Sequence, residues 1–165
     1  GNSKIQSIYV ARQDGQTRVL VTEGAHVDVT YVDDGKNGVI LSGRFQSVQI
    51  TSAGAEVTLN NVRIDVVTIS GRGADLTVDA GSSVKTLFVS ETATNAQVHS
   101  QDSIASVQVE NPSATVVLHK PYSTSGLPFW ARAAFWPKQS SPRNLTRSPN
   151  RNPTLIWTRS GTATR

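Results

Sequence analysis

The sequence predicts an all-β fold: a single-stranded parallel β-helix, or β-solenoid, of about six rungs with roughly 20 residues in each. Short stretches that alternate apolar and polar residues, as a strand with one buried face does, recur along the chain. Clusters of turn-forming residues separate these stretches. The alternating stretches start 18 to 22 residues apart, at Ser7, Val29, Ser47, Val66, Thr86 and Ser106.

Each rung contains a second apolar element, and each of the first five rungs contains a third. The second alternating pairs are Val19/Val21, Val39/Leu41, Val57/Leu59, Leu76/Val78, Ala96/Val98 and Val116/Leu118. A third, single apolar position follows at Val27, Phe45, Ile64, Val84 and Ile104. Three short strands per rung are therefore expected. Two apolar side chains per strand do not offset the entropy of ordering it, so each rung requires neighbours above and below.

Turns are expected where Gly, Asn, Asp and Ser cluster, at residues 33–38, 52–54, 70–73, 80–83 and 110–113. Six rungs at an inter-strand spacing of about 4.8 Å give a rod about 30 Å long. The uneven steps between rungs favour a right-handed coil, since left-handed coils usually keep a stricter hexapeptide count.

The composition contains no Cys and no Met. Disulfides, thiolate nucleophiles and Cys-based metal sites are therefore excluded from this chain. Without an initiator Met, the chain is expected to be a fragment of a longer protein whose signal or anchor lies elsewhere. No apolar run approaches the roughly 18 residues of a membrane span, so none is expected here.

The pattern changes abruptly after Pro121, which divides the chain into a solenoid, residues 1–121, and a basic tail rich in Pro, Ser and Arg, residues 122–165. The solenoid has nine Lys/Arg and twelve Asp/Glu, whereas the tail has seven Lys/Arg and no acidic residue. The net charge is therefore −3 in the solenoid and +7 in the tail, and the overall basic balance of the chain belongs to the tail.

Several interpretations of the tail are open. The first is a disordered segment, and the second is a sequence read in a shifted frame. The third is a partial cap, in which residues 129–136 cover the last rung. The fourth is a basic binding arm. In the last case Trp130, Arg132 and Trp136 are the candidate contacts, because aromatic rings stack on ligands and Arg binds anions.

Within the solenoid, Asp79, His99 and His119 follow the second alternating pairs of successive rungs. If they stack in one column, they form a candidate site for a divalent metal or a proton network. No other cofactor is expected. We find no nucleophile elbow, zinc-binding helix or paired carboxylates, so the chain is expected to be non-catalytic.

The segments "AEVTLNNVRI", "ADLTVDAGSSVKTLFV" and "SIASVQVENPSATVVL" resemble the repetitive β-helical regions of Gram-positive, Bacillus- and Paenibacillus-like, secreted cell-surface proteins, which often also bear S-layer homology modules. The resemblance implies a structural or adhesive segment at the cell surface or cell wall, acting as a rigid spacer.

The expected partner of such a segment is a glycan or cell-wall polymer, and nucleic acid is disfavoured. An open solenoid end also predicts end-to-end self-association. Two alternatives remain: a carbohydrate-active β-helix enzyme of the polysaccharide lyase or hydrolase kind, and a self-assembling filament subunit similar in shape to the bactofilins.

Overall fold

The computed structural model describes residues 2–118 and two short strands further along, at residues 155–157 and 163–164. No helix occurs in the described residues. The strands are β1 Ser3–Val10, β2 Thr17–Leu20, β3 Ala25–Val32, β4 Val39–Ile50, β5 Glu56–Ile69, β6 Asp75–Val78, β7 Ser83–Val89, β8 Gln97–Ser100, β9 Ile104–Val109, β10 Thr115–Leu118, β11 Leu155–Trp157 and β12 Ala163–Thr164.

The strands stack in two parallel ladders. The first ladder runs β1, β3, β4, β5, β7, β9, and the second runs β2, β4, β5, β6, β8, β10. Strands β4 and β5 are long enough to belong to both. The chain therefore forms stacked coils of about six turns, which confirms the predicted β-solenoid.

The third short strand of each rung is the start of a first-ladder strand. In β4, Phe45 and Val48 are both buried and are three residues apart, so the alternation breaks between them. Gln46, which lies in this break, is also skipped in the register with β5, which passes from Phe45–Ile64 to Ser47–Val66. A strand that bends around a corner produces this break, so the third side is continuous with the first.

The core is a column of apolar side chains that runs the length of the coil. Its largest fully buried members are Phe45, Leu41, Ile50, Leu59, Ile69, Leu76, Leu87 and Ile104. A narrower column of buried alanines precedes the second-ladder strands and contains Ala55, Ala74, Ala96 and Ala114. Fully burying a side chain of Leu or Ile contributes about 1.5–3 kcal/mol, so the aligned stacks account for most of the stabilisation of each rung.

Two of the predicted second pairs are wrong in register. In the first rung Val19 lies level with Leu41, so the pair in register with Val39/Leu41 is Thr17/Val19. Val21 is buried in the core as predicted, but at the corner that follows this pair. In the fifth rung Val98 lies level with Leu76 and Ser100 with Val78, and the predicted pair Ala96/Val98 is shifted by two residues. A shift of two residues preserves the alternation, so periodicity alone did not exclude it.

The edge of the last second-ladder strand is covered by part of the tail. Strand β11 pairs antiparallel with β10, with Val117 level with Ile156, and β12 pairs antiparallel with β11. Residues 129–136, the predicted cap, lie outside the described part of the chain. The observed covering strand instead comes from Leu155–Trp157.

Candidate functional site

The corner after the second-ladder strands differs in length between rungs. One residue separates Leu41 from Gly43 in the second rung, whereas Asn60 and Asn61 precede the equivalent Val62 in the third rung. Asn61 accommodates the additional residue with φ of 50°, a left-handed conformation that Asn adopts more readily than most residues. The corners of neighbouring rungs are therefore not flush.

The turn after β2, in the first rung, is longer than the corresponding corner of the second rung, which passes through Gly43. Residues 21–24 form this longer turn, and the Ala25 amide closes it by donating to the Thr22 carbonyl oxygen at 3.1 Å. The turn packs directly on Gly43, where φ is 104° and an added Cβ would lie 2.0 Å from the Val21 carbonyl oxygen. Only glycine fits here, and the long turn therefore overhangs the short corner beneath it.

This overhang leaves a depression of about 500 Å³ on the third side of the coil. Its lining combines two guanidinium groups, an imidazole, an amide and one carboxylate with exposed backbone. The lining residues are Val21, Thr22, Glu23, Gly24, Ala25, His26, Gly43, Arg44, Asn61 and Arg63.

Arg44 and Arg63 lie level with each other on neighbouring rungs and are both exposed. Neighbouring strands are about 4.8 Å apart, and like charges directly opposite one another on a sheet are destabilising. Among the described residues, neither Arg forms an ion pair within 4.0 Å. The pair is therefore a local concentration of positive charge on a solenoid whose net charge is −3.

Two carboxylates, Asp28 and Asp65, are at the neighbouring corner of the coil, and each has another cationic partner. Asp28 accepts Lys4 at 3.2 Å and, when the imidazole is protonated, His26 at 3.2 Å. Asp65 pairs with Lys85 at 2.5 Å. These carboxylates therefore do not neutralise the two arginines by direct contact.

The positive charge of Arg44 nevertheless influences Asp65. The hydrogen bond from Lys85 holds the pKa of Asp65 below its usual value, and the charges of Lys85, Arg44 and His26 act in the same direction. Partial loss of solvent opposes this shift in the pKa of Asp65. Arg44 thus contributes positive potential at a neighbouring corner without contacting it.

The predicted metal column does not form as expected. His99 lies level with Thr77 and Val117, whereas Asp79 lies level with Asn60, whose side-chain amide donates to Asp79 Oδ2 at 3.1 Å. The prediction that Asp79 and His99 stack is therefore wrong, for the same two-residue shift that affects the fifth rung. His119 lies outside the described residues.

The predicted tail contacts Trp130, Arg132 and Trp136 also lie outside the described residues, and their role stays a prediction. Within the described part of the chain, no group of three or more His, Asp or Glu side chains is arranged to hold a metal ion. The same residues include no helix long and apolar enough to cross a bilayer.

Two other surface features stand out. Tyr9 and Tyr31 stack on the outer face of the first ladder, with ring centroids 4.7 Å apart and an interplanar angle of 12°. A second depression of about 650 Å³ includes Asp33 and Asp34 in its lining. Both carboxylates already accept hydrogen bonds. The Thr51 hydroxyl donates to Asp33, and the backbone amide of Gln13 donates to Asp34.

The Arg44–Arg63 pair was missed by sequence reasoning. Its signal was present, because the two residues are 19 apart, close to the repeat, and each is followed by an inward apolar residue, Phe45 or Ile64. The depression beside them carried no sequence signal, because it depends on the relative lengths of three turns.

Comparisons with protein-family models, with curated proteins and with solved structures found no match to this chain.

Proposed function

We propose that the chain is a non-catalytic structural segment of a larger secreted or cell-surface protein, in which it acts as a rigid spacer and presents a surface to glycans or wall polymers. The observation that supports this most is the continuous apolar core, which links six rungs through in-register parallel ladders. Such a stack bends little, because bending would open closely packed side chains.

The outer surface fits a presenting role. Parallel register places equivalent outward side chains in columns at a fixed spacing of about 4.8 Å. One such column on the first ladder passes through Tyr9, Tyr31, Gln49, Thr68 and Phe88. A polymer with a regular repeat can contact such a column at several points at once, which raises its apparent affinity.

Small-angle X-ray scattering on residues 1–121 and on the full chain tests the spacer. A rigid rod about 30 Å long, with one cooperative thermal transition, is the expected result. A scattering profile of an expanded, flexible chain contradicts the spacer function directly.

End-to-end self-association is a second candidate function. Four large apolar side chains are exposed among the described residues, and three of them belong to the first rung: Ile5, 40% exposed, Tyr9, 61%, and Leu20, 64%. Strand β1 also has one unpaired edge in the described structure, and such an edge is a template for another strand.

Sedimentation at increasing protein concentration tests this candidate. Ile5→Lys should reduce association, because it places a charge at the open end. Val66→Lys, on an exposed residue in the middle of the coil, is the matched control and should leave association unchanged. Equal association of both variants and the wild type excludes the first rung as the contact.

A further inference from the structure

We propose that Arg44 and Arg63, with the depression beside them, bind an acidic glycan through its carboxylate or phosphate groups. This inference rests on the glycan-presenting function proposed above and identifies the surface and the class of ligand.

The charge arrangement of the two arginines favours an anionic ligand. Arg44 and Arg63 are level on adjacent rungs, and the ion pairs found among the described residues all use other cations. An acid group placed between two guanidinium groups offsets their mutual repulsion with two attractive contacts. Arg suits this role, because its planar fork donates two parallel hydrogen bonds to one carboxylate or phosphate.

The size and the mixed lining of the depression favour a sugar ligand. A volume of about 500 Å³ lies within the range of about 300–1,000 Å³ that is usual for small-ligand pockets. The Asn61 amide and the Thr22 hydroxyl offer neutral donors and acceptors next to the arginines, and Glu23 offers a carboxylate acceptor. Sugar hydroxyl groups both donate and accept, so a glycan satisfies this mixed lining better than a simple inorganic anion does.

The same lining disfavours nucleic acid. Glu23 lies in the wall of the depression, and Asp28 and Asp65 line the neighbouring corner. A chain with one phosphate per nucleotide would bring further phosphates against these carboxylates. A glycan in which neutral hydroxyl groups separate the acid groups avoids that repulsion.

Isothermal titration of the full chain provides the test. The probes are a disaccharide with one galacturonate unit, glycerol 3-phosphate and the neutral disaccharide maltose, so that each acidic probe has a single acid group beside neutral hydroxyl groups. The variant R44Q/R63Q is compared with R12Q/R72Q, which removes the same charge from two exposed arginines elsewhere on the solenoid. The basic tail is identical in all of these proteins, so its contribution to binding cancels in the comparison.

The expected result is binding of at least one acidic probe and no binding of the neutral one. R44Q/R63Q should weaken acidic binding by about tenfold or more, and R12Q/R72Q should change it less than twofold. Whether the galacturonate or the glycerol-phosphate probe binds distinguishes a carboxylate from a phosphate ligand. R44K/R63K, which keeps the charge and loses the fork, should bind at an intermediate level.

Equal loss in the two double variants overturns the proposal, because binding then depends only on net charge. Undiminished binding by R44Q/R63Q overturns it as well and assigns the contact to another surface. A third outcome also overturns the proposal: a thymidine oligonucleotide binds more tightly than the acidic glycan probes, and R44Q/R63Q abolishes that binding. Circular dichroism and scattering on the same samples report the rod separately, so a failed site and a failed spacer give different results.

Discussion

The Ser82 hydroxyl donates a hydrogen bond to the Leu59 carbonyl oxygen of the preceding rung at 2.9 Å. It also accepts one from the Val62 amide at 3.3 Å. Ser82 is only 2% exposed and occupies the level of Val62 in the column of inward residues. One polar side chain therefore joins two rungs at a corner where the backbone ladder is interrupted.

Replacing Ser82 with Ala should lower the free energy of unfolding by about 1–3 kcal/mol. The buried Val62 amide loses its side-chain acceptor, and the Leu59 carbonyl oxygen loses one of two donors and keeps the Asp79 amide. Ser83→Ala is the matched control, since Ser83 is the adjacent exposed residue, and it should change stability by less than about 0.5 kcal/mol. Urea unfolding of both variants measures the difference. Similar values for the two would show that the buried hydrogen bonds contribute little to stability.

A second prediction concerns close contact between turns. An added Cβ at Gly71 would lie 2.1 Å from the Ser52 carbonyl oxygen of the preceding rung. Because the clashing atom is backbone, the turns must separate, and Gly71→Ala should destabilise the protein by about 1–3 kcal/mol. Gly15→Ala is the control, because nothing lies within 4 Å of its added Cβ. A melting temperature that falls equally in both variants contradicts this account.

Asp65 provides a prediction about pH. Its pKa is lowered mainly by the hydrogen bond from Lys85, so its contribution to stability is present above the unfolded-state pKa and is lost as pH falls through the lowered pKa. NMR titration should place the pKa of Asp65 below that of an unperturbed aspartate. Lys85→Gln should raise it, and Lys36→Gln, a distant exposed substitution, should not. An unchanged pKa in Lys85→Gln contradicts the assignment.

The solenoid was predictable because its information is local and repeated. An alternating apolar pair predicts both a strand and its buried face. The structure aligns two such pairs, Val57/Leu59 and Leu76/Val78, as expected. The register of the fifth rung was not predictable in the same way. Ala96 and Val98 fit the pattern and are both buried, but the residues level with Leu76 and Val78 are Val98 and Ser100. The buried Ser100 hydroxyl donates to the Asp102 carbonyl oxygen at 2.6 Å.

The candidate site was less predictable than the fold. Arg44 and Arg63 each look like an ordinary exposed residue, and their 19-residue spacing is close to the repeat, but their level position depends on the register at the corner before them. That register includes an irregularity between Leu41 and Gly43, which changes the offset from 18 to 19 residues. Turn lengths, and not apolar periodicity, therefore determine where the depression forms.

The last prediction concerns the covered edge of β10. Strand β11 pairs with β10 at Val116, Val117 and Leu118, so a chain that ends at residue 154 should lose the hydrogen-bond partners on that side. Amide hydrogen exchange in β10 should then accelerate at least tenfold, while exchange in β8, which lies between β6 and β10, should change little. The uncovered edge should also increase self-association at high concentration. Limited proteolysis of the full chain gives an independent measurement: cleavage close to Pro121 that leaves the exchange of β10 unchanged would show that β11 does not stabilise the last rung.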